Sequence, residues 1–62
     1  MERNSGVVFE EMQTIFNEMV ADNTAWVEKG NKAAAARVRK ATLAIAKLGK
    51  EYRELTVAEA KK

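Results

Sequence analysis

The sequence contains no cysteine, no histidine and no proline, and only three glycines. Without imidazole or thiol groups, the chain lacks the nitrogen and sulfur ligands that hold zinc, the commonest general base and the thiolate nucleophile. Disulfide bonds are excluded as well. We therefore expect a protein that is not an enzyme and that has no metal site, no cofactor and no small-molecule substrate.

Long apolar runs are also missing. No segment approaches the roughly 18 consecutive apolar residues of a transmembrane helix. Residues 7–9 are too few for the apolar centre of a secretory signal peptide, because Glu10 and Glu11 follow them. An absence of cysteine is compatible with a reducing cytosol. We expect a cytoplasmic protein without a membrane partner.

Large apolar side chains are scarce. The chain has 62 residues, of which 47% are hydrophobic, but 11 of these residues are alanine. Small domains with so thin a core usually gain stability from disulfides, metals or oligomerisation. Because a chain without cysteine and histidine leaves little scope for the first two, the composition predicts a homo-oligomer, with a dimer favoured.

Charge is divided unevenly along the chain. The formal net charge is +2, yet residues 1–28 carry −5 and residues 29–62 carry +7. Such asymmetry indicates pairing within or between chains, an acidic or nucleic-acid partner, or both.

The charge boundary coincides with the clearest turn signal, Lys29-Gly30-Asn31. Glycine readily adopts the left-handed conformation that ends a helix, and asparagine caps the start of the next one. We therefore predict an all-α fold, an antiparallel, coiled-coil-like two-helix hairpin. Residues 1–62 form one domain, with helix 1 at about 5–28, a turn at 29–31 and helix 2 at about 32–55.

Helix 1 has the apolar stripe of an amphipathic helix. Asp22 interrupts its register, so residues 22–24 are a candidate break, although a continuous helix is favoured. The stripe residues, predicted to form the core or an oligomer interface, are Val8, Met12, Ile15, Met19 and Trp26, flanked by Phe9, Phe16, Val20 and Val27.

Helix 2 has a regular seam in which spacings of four and three residues alternate. Gly49 at its edge either permits close helix approach or is a tolerated helix glycine. Thr56 and Glu59 have the form of a capping box, which predicts a bend at Leu55 and a short terminal turn at 56–61. The seam comprises Ala34, Val38, Ala41, Ile45, Leu48, Tyr52 and Leu55, its larger members being assigned to the core or interface.

Three acids and two aromatic residues have alternative interpretations. Glu11, Glu18 and Asp22 share part of one side of helix 1, where pairing with the basic helix or solvation is favoured over acid–base chemistry or metal binding. Trp26 and Tyr52 could stack on unpaired bases. Both fall on apolar stripes, so core packing is the favoured interpretation.

A basic stripe lies opposite the seam of helix 2. Its cations cover about 140° of the helix at 3.6 residues per turn. A rigid row of cations suits a polyanion, whereas the alternative is a solvated face. Glu51 and Glu54 at its border could pair with Lys47 or Lys50. The stripe consists of Lys32, Arg39, Lys40, Lys47, Lys50 and Arg53, with Lys29 and Arg37 near the turn as secondary candidates.

Part of the chain resembles the N-terminal domain of the chlamydial histone-like proteins, including short stand-alone relatives in other bacteria. The similar residues span Glu28 to Lys61 and comprise the run E-K-G-N-K-A-A-A, then R-V-R, Tyr52-Arg53 and the closing A-E-A-K. The resemblance implies a nucleoid-associated protein that binds and compacts DNA and whose helical region self-associates.

The stripe and the resemblance lead to one hypothesis. Two hairpins pair through their apolar faces into a four-helix bundle, and the basic stripes contact DNA phosphates without reading base sequence, since no Asn or Gln lies among the stripe cations. The alternative is a helical oligomerisation or protein-interaction module that binds no nucleic acid. Adsorption to an anionic membrane is disfavoured, because Leu43 is the one large apolar residue beside the stripe.

Overall fold

A computed structural model describes residues 3–61; Met1, Glu2 and Lys62, at the ends of the predicted 1–62 domain, lie outside the described residues. Helix α1 spans Ser5–Lys29 and helix α2 spans Lys32–Ala60. The helices pack antiparallel into a rod of 49 × 16 × 16 Å. Residues 3–61 contain no strand, so the predicted all-α hairpin is confirmed.

The turn has the chemistry that the sequence predicts. Gly30 ends α1 in the left-handed region, with φ 65° and ψ 28°, and its N–H donates to the Trp26 carbonyl at 2.9 Å. Asn31 then caps α2, because its side-chain oxygen accepts from the Ala34 N–H at 3.1 Å. A reversal of only two residues brings the basic α2 alongside the acidic α1.

Alanine at the two glycines Gly30 and Gly49 should have opposite effects. Gly30→Ala places a side chain at positive φ and is expected to lower the free energy of unfolding by about 1–2 kcal/mol. Gly49→Ala adds a Cβ that meets nothing within 4 Å and should raise it by up to about 1 kcal/mol through better helix propensity. Urea denaturation at one fixed protein concentration measures both changes. A loss of stability in Gly49→Ala would show that a second copy approaches the helix at this glycine.

The core of the single hairpin is thin. Only Val8 and Ala34 are buried among the described hydrophobic residues. Trp26, predicted as core or interface, is 44% exposed. The other predicted core or interface positions are half-buried: Met12, Ile15, Met19, Val38, Ile45, Leu48, Tyr52 and Leu55.

The C-terminal end of α2 differs from the prediction. Instead of bending at Leu55 into a separate turn at 56–61, the helix continues to Ala60. Thr56 is not a cap, because its hydroxyl donates to the Tyr52 carbonyl at 3.0 Å, one turn back. The Glu59 carboxylate reaches across to α1 instead, where it accepts from the Ser5 N–H at 2.9 Å and from the Ser5 hydroxyl at 2.7 Å. A carboxylate at a helix N-terminus interacts favourably with the helix dipole. This contact therefore holds the two helices together at the end of the hairpin opposite the turn.

Helix α1 runs without interruption through residues 22–24, as the favoured interpretation predicts. Asp22, which breaks the apolar register, lies 3.0 Å from the Arg37 guanidinium of α2. The acid therefore links the two helices at a position where the sequence lacks an apolar residue.

Candidate nucleic-acid interface

The basic stripe is a free surface in the hairpin. All six of its cationic residues are exposed. Within residues 3–61, none of their side chains forms a salt bridge or a hydrogen bond. From Lys32 to Arg53 the stripe is about 32 Å long at 1.5 Å per residue. It is therefore a band of exposed, unpaired cations along one side of α2.

Glu51, an acid at the border of the stripe, is paired with a residue outside it. Glu51 does not turn to Lys47 or Lys50; its carboxylate accepts from Arg3, with N–O distances of 2.7 Å. These hydrogen bonds hold the pKa of Glu51 below its usual range, assisted by the charge of Arg3 and opposed by partial desolvation. Arg3 also pairs with Glu11 at 2.8 Å. The Glu51 carboxylate stays ionised and engaged away from the stripe cations.

The two secondary candidates near the turn have different surroundings. Arg37 is exposed but is held by Asp22 at the edge of the helix interface, so its charge is partly neutralised. Lys29 is exposed in the last turn of α1, where a cation complements the negative end of the helix dipole. Of the two, Lys29 has the freer charge.

The two edges where α1 meets α2 are unlike. Ion pairs close one edge, where Arg37 meets Asp22 and Arg3 joins Glu51 to Glu11. The other edge, which we call the open edge, carries a shallow apolar groove lined by Phe9, Met12, Gln13, Phe16 and Ile45. There the rings of Phe9 and Tyr52 lie 6.2 Å apart, tilted by 51°.

Exposed apolar side chains continue along α1 beside the open edge. Four of them lie within about 40° of one another around the helix at 3.6 residues per turn. We call this row the α1 stripe; its members and exposed fractions are Phe9 (52%), Phe16 (57%), Val20 (51%) and Val27 (70%). From the sequence these four residues are predicted only to flank the apolar stripe of helix 1.

A second groove lies near the turn. Apolar and cationic residues meet in this Trp26 groove, which has a volume of about 480 Å³ and is lined by Asn23, Trp26, Lys32, Ala35, Val38 and Arg39. It joins the only tryptophan of the sequence to two cations of the basic stripe. Asn23 is not among the predicted site residues, although its position one turn before Trp26 places the two side chains side by side on α1.

Comparison with known protein families distinguishes a DNA-binding protein from a pure interaction module. Residues 8–62 match the family described as histone H1-like protein Hc1. The chain belongs to the Hc1 family of histone H1-like proteins. The match extends the resemblance seen in residues 28–61 over nearly all of α1 and confirms it. No curated protein and no solved structure gives a significant match.

Membership of the Hc1 family identifies the chain, at the level of the family, as a histone-like, DNA-binding, nucleoid-associated protein. This is a family of DNA-packaging proteins and not of enzymes. Neither helix, over the described residues, has a stretch long and apolar enough to cross a bilayer.

Proposed function

We propose that this Hc1-family chain binds duplex DNA by placing its basic stripe along the phosphate backbone. The observation that carries the proposal is the row of six exposed cations on one face of α2, none of them paired within residues 3–61. Duplex DNA presents about one phosphate charge per 1.7 Å of axis. A stripe of about 32 Å matches roughly one helical turn of the duplex, which is 34–36 Å.

Binding through the stripe is independent of base sequence. Specific readout in the major groove typically uses Arg, Asn or Gln held against base edges. The stripe contains no Asn or Gln, and its arginines lie on one straight helix face among lysines. The contacts are therefore to phosphates, which position a protein on DNA without selecting a sequence.

The salt dependence of DNA binding tests this proposal. With four to six phosphates neutralised per chain, the logarithm of the affinity should fall with the logarithm of salt concentration at a slope of about −4 to −5. Fluorescence anisotropy of a short labelled duplex, titrated at several salt concentrations, measures the slope. A second duplex of unrelated sequence should give the same affinity. A slope near zero, or no binding at low salt, would refute the proposal.

We further propose that the chain self-associates through the open edge, with a dimer as the simplest assembly and a four-helix bundle as its form. Two features support this. The single hairpin buries few side chains, and the α1 stripe exposes four large apolar residues over about 27 Å at 1.5 Å per residue. In a two-fold symmetric dimer the same apolar stripe of each copy would face its counterpart.

Self-association connects phosphate binding with DNA compaction. The basic stripe lies on the far side of α2 from the helix interface, so pairing through the open edge leaves the stripe of each copy accessible. A dimer therefore presents two separate basic surfaces, and each can hold a different duplex segment. Bridging of this kind brings distant segments together without any base-specific contact.

A further inference from the structure

The Trp26 groove combines an exposed aromatic ring with cations, and neither phosphate binding nor self-association requires this combination. Trp26 is 44% exposed, although its register on α1 predicts core packing. Beside it lie the aliphatic side chains of Ala35 and Val38 and the charged groups of Lys32 and Arg39. An aromatic surface next to cations is the combination with which proteins hold unpaired bases.

We propose that the Trp26 groove binds an unpaired nucleobase of a single-stranded nucleic acid. The base stacks on the indole of Trp26 over the apolar floor of Ala35 and Val38. The adjoining phosphates contact Lys32 and Arg39. Asn23 lines the same groove, and its side-chain amide offers both a donor and an acceptor to the edge of the base.

Charge distinguishes this groove from the apolar part of the open edge. The groove between Phe9 and Phe16 has no charged residue in its lining, which suits a second copy of the chain. The Trp26 groove has two cations that form no ion pair within residues 3–61. Covering them with an apolar surface would bury unpaired charge, which is costly. A nucleotide brings its own phosphates and so satisfies them.

The proposal goes beyond duplex binding, although Lys32 and Arg39 belong to both surfaces. In a duplex the bases are paired and stacked on one another, so none is available to the indole. A single strand can place a base in the groove while its backbone follows the stripe. The two modes are therefore separable by strand type and by substitution of Trp26.

The test uses the intrinsic fluorescence of Trp26, the only tryptophan in the chain. The intact protein is titrated at low salt with oligothymidylate, with an abasic oligonucleotide of equal length and with a duplex of equal length. We expect saturable quenching by oligothymidylate and little quenching by the other two. The abasic strand carries the phosphates without the bases, so it isolates stacking from charge. Light scattering on the same samples checks the oligomeric mass.

Substitutions give a second, independent measurement by anisotropy of labelled oligothymidylate. Trp26→Leu keeps an apolar side chain but removes the aromatic face. It should weaken single-strand binding by about 5- to 150-fold, the range expected for loss of one base–aromatic stack. Trp26→Phe should restore most of the affinity. Val57→Ala, at an exposed apolar residue outside both the Trp26 groove and the α1 stripe, should change it less than about twofold, because Val57 has no aromatic face on which a base could stack.

Four outcomes would overturn the proposal. The first is equal quenching by the abasic strand, and the second is no quenching by any strand. The third is quenching that appears only together with a change of oligomeric mass. The fourth is equally tight binding of thymidine monophosphate, which would assign the groove to free nucleotides. Duplex binding is scored separately in each titration. Loss of duplex binding with single-strand quenching intact would refute the proposed function alone, and the converse would refute this inference alone.

Discussion

Replacing Arg39 and Lys47 with glutamine should weaken duplex DNA binding by about 60-fold at 0.1 M salt. Each phosphate contact contributes a factor of about 8 at this salt concentration, and two contacts are lost. The slope of log affinity against log salt should also become shallower by about 1.8. Both side chains are exposed and unpaired within the described residues, so their removal leaves the contacts between the helices in place.

The matched control for this variant changes charge without touching the stripe. Asn17→Glu with Thr24→Glu lowers the net charge by the same two units, at exposed positions of α1. If the stripe itself binds DNA, this control should retain most of the affinity, apart from a small long-range effect. Equal losses in both variants would mean that only net charge matters.

The same variant separates DNA binding from assembly. Under the proposed function, Arg39→Gln with Lys47→Gln keeps its oligomeric mass while it loses affinity for DNA. A fall in mass would instead show that the stripe pairs with the acidic helix of a second copy. That result would favour an interaction module over a DNA-binding surface.

Phe16→Gln should dissociate the assembly. Phe16 is 57% exposed in the single hairpin, and in a dimer through the open edge it is buried in each copy. Burial of the remaining 57% of Phe16 contributes about 0.9–1.7 kcal/mol per copy, so its loss from both copies should raise the dimer dissociation constant by about 20- to 300-fold. Light scattering over a range of protein concentrations measures the shift. The dissociated variant should still bind a short duplex but should no longer bridge two of them.

Leu43→Gln provides the control for this experiment. Leu43 is 67% exposed, but it lies on the basic side of α2, between Lys40 and Lys47. Its replacement should leave the mass unchanged. If Leu43→Gln dissociates the assembly and Phe16→Gln does not, the basic face is the interface, and the proposed arrangement of DNA and partner is reversed.

The sequence by itself determined the helices, the turn and the basic stripe, because each depends on residues close in the chain. Gly30 and Asn31 end one helix and cap the next through local backbone geometry. The stripe follows from helical periodicity alone, since any helix over residues 32–53 places its six cations on one face.

Only the tertiary structure decided which charges are free and which aromatic residues are exposed. Sequence spacing predicts that Glu51 pairs with a lysine of its own helix. The spacing of Thr56 and Glu59 predicts that they cap the start of a short terminal helical turn. In the hairpin, Glu51 binds Arg3 and Glu59 binds Ser5, so α2 continues to Ala60. Both partners are about fifty residues distant in the chain, and antiparallel packing makes them neighbours. The exposure of Trp26 has the same origin: register places it on the apolar stripe, but the alanine-rich start of α2 is too small to cover it.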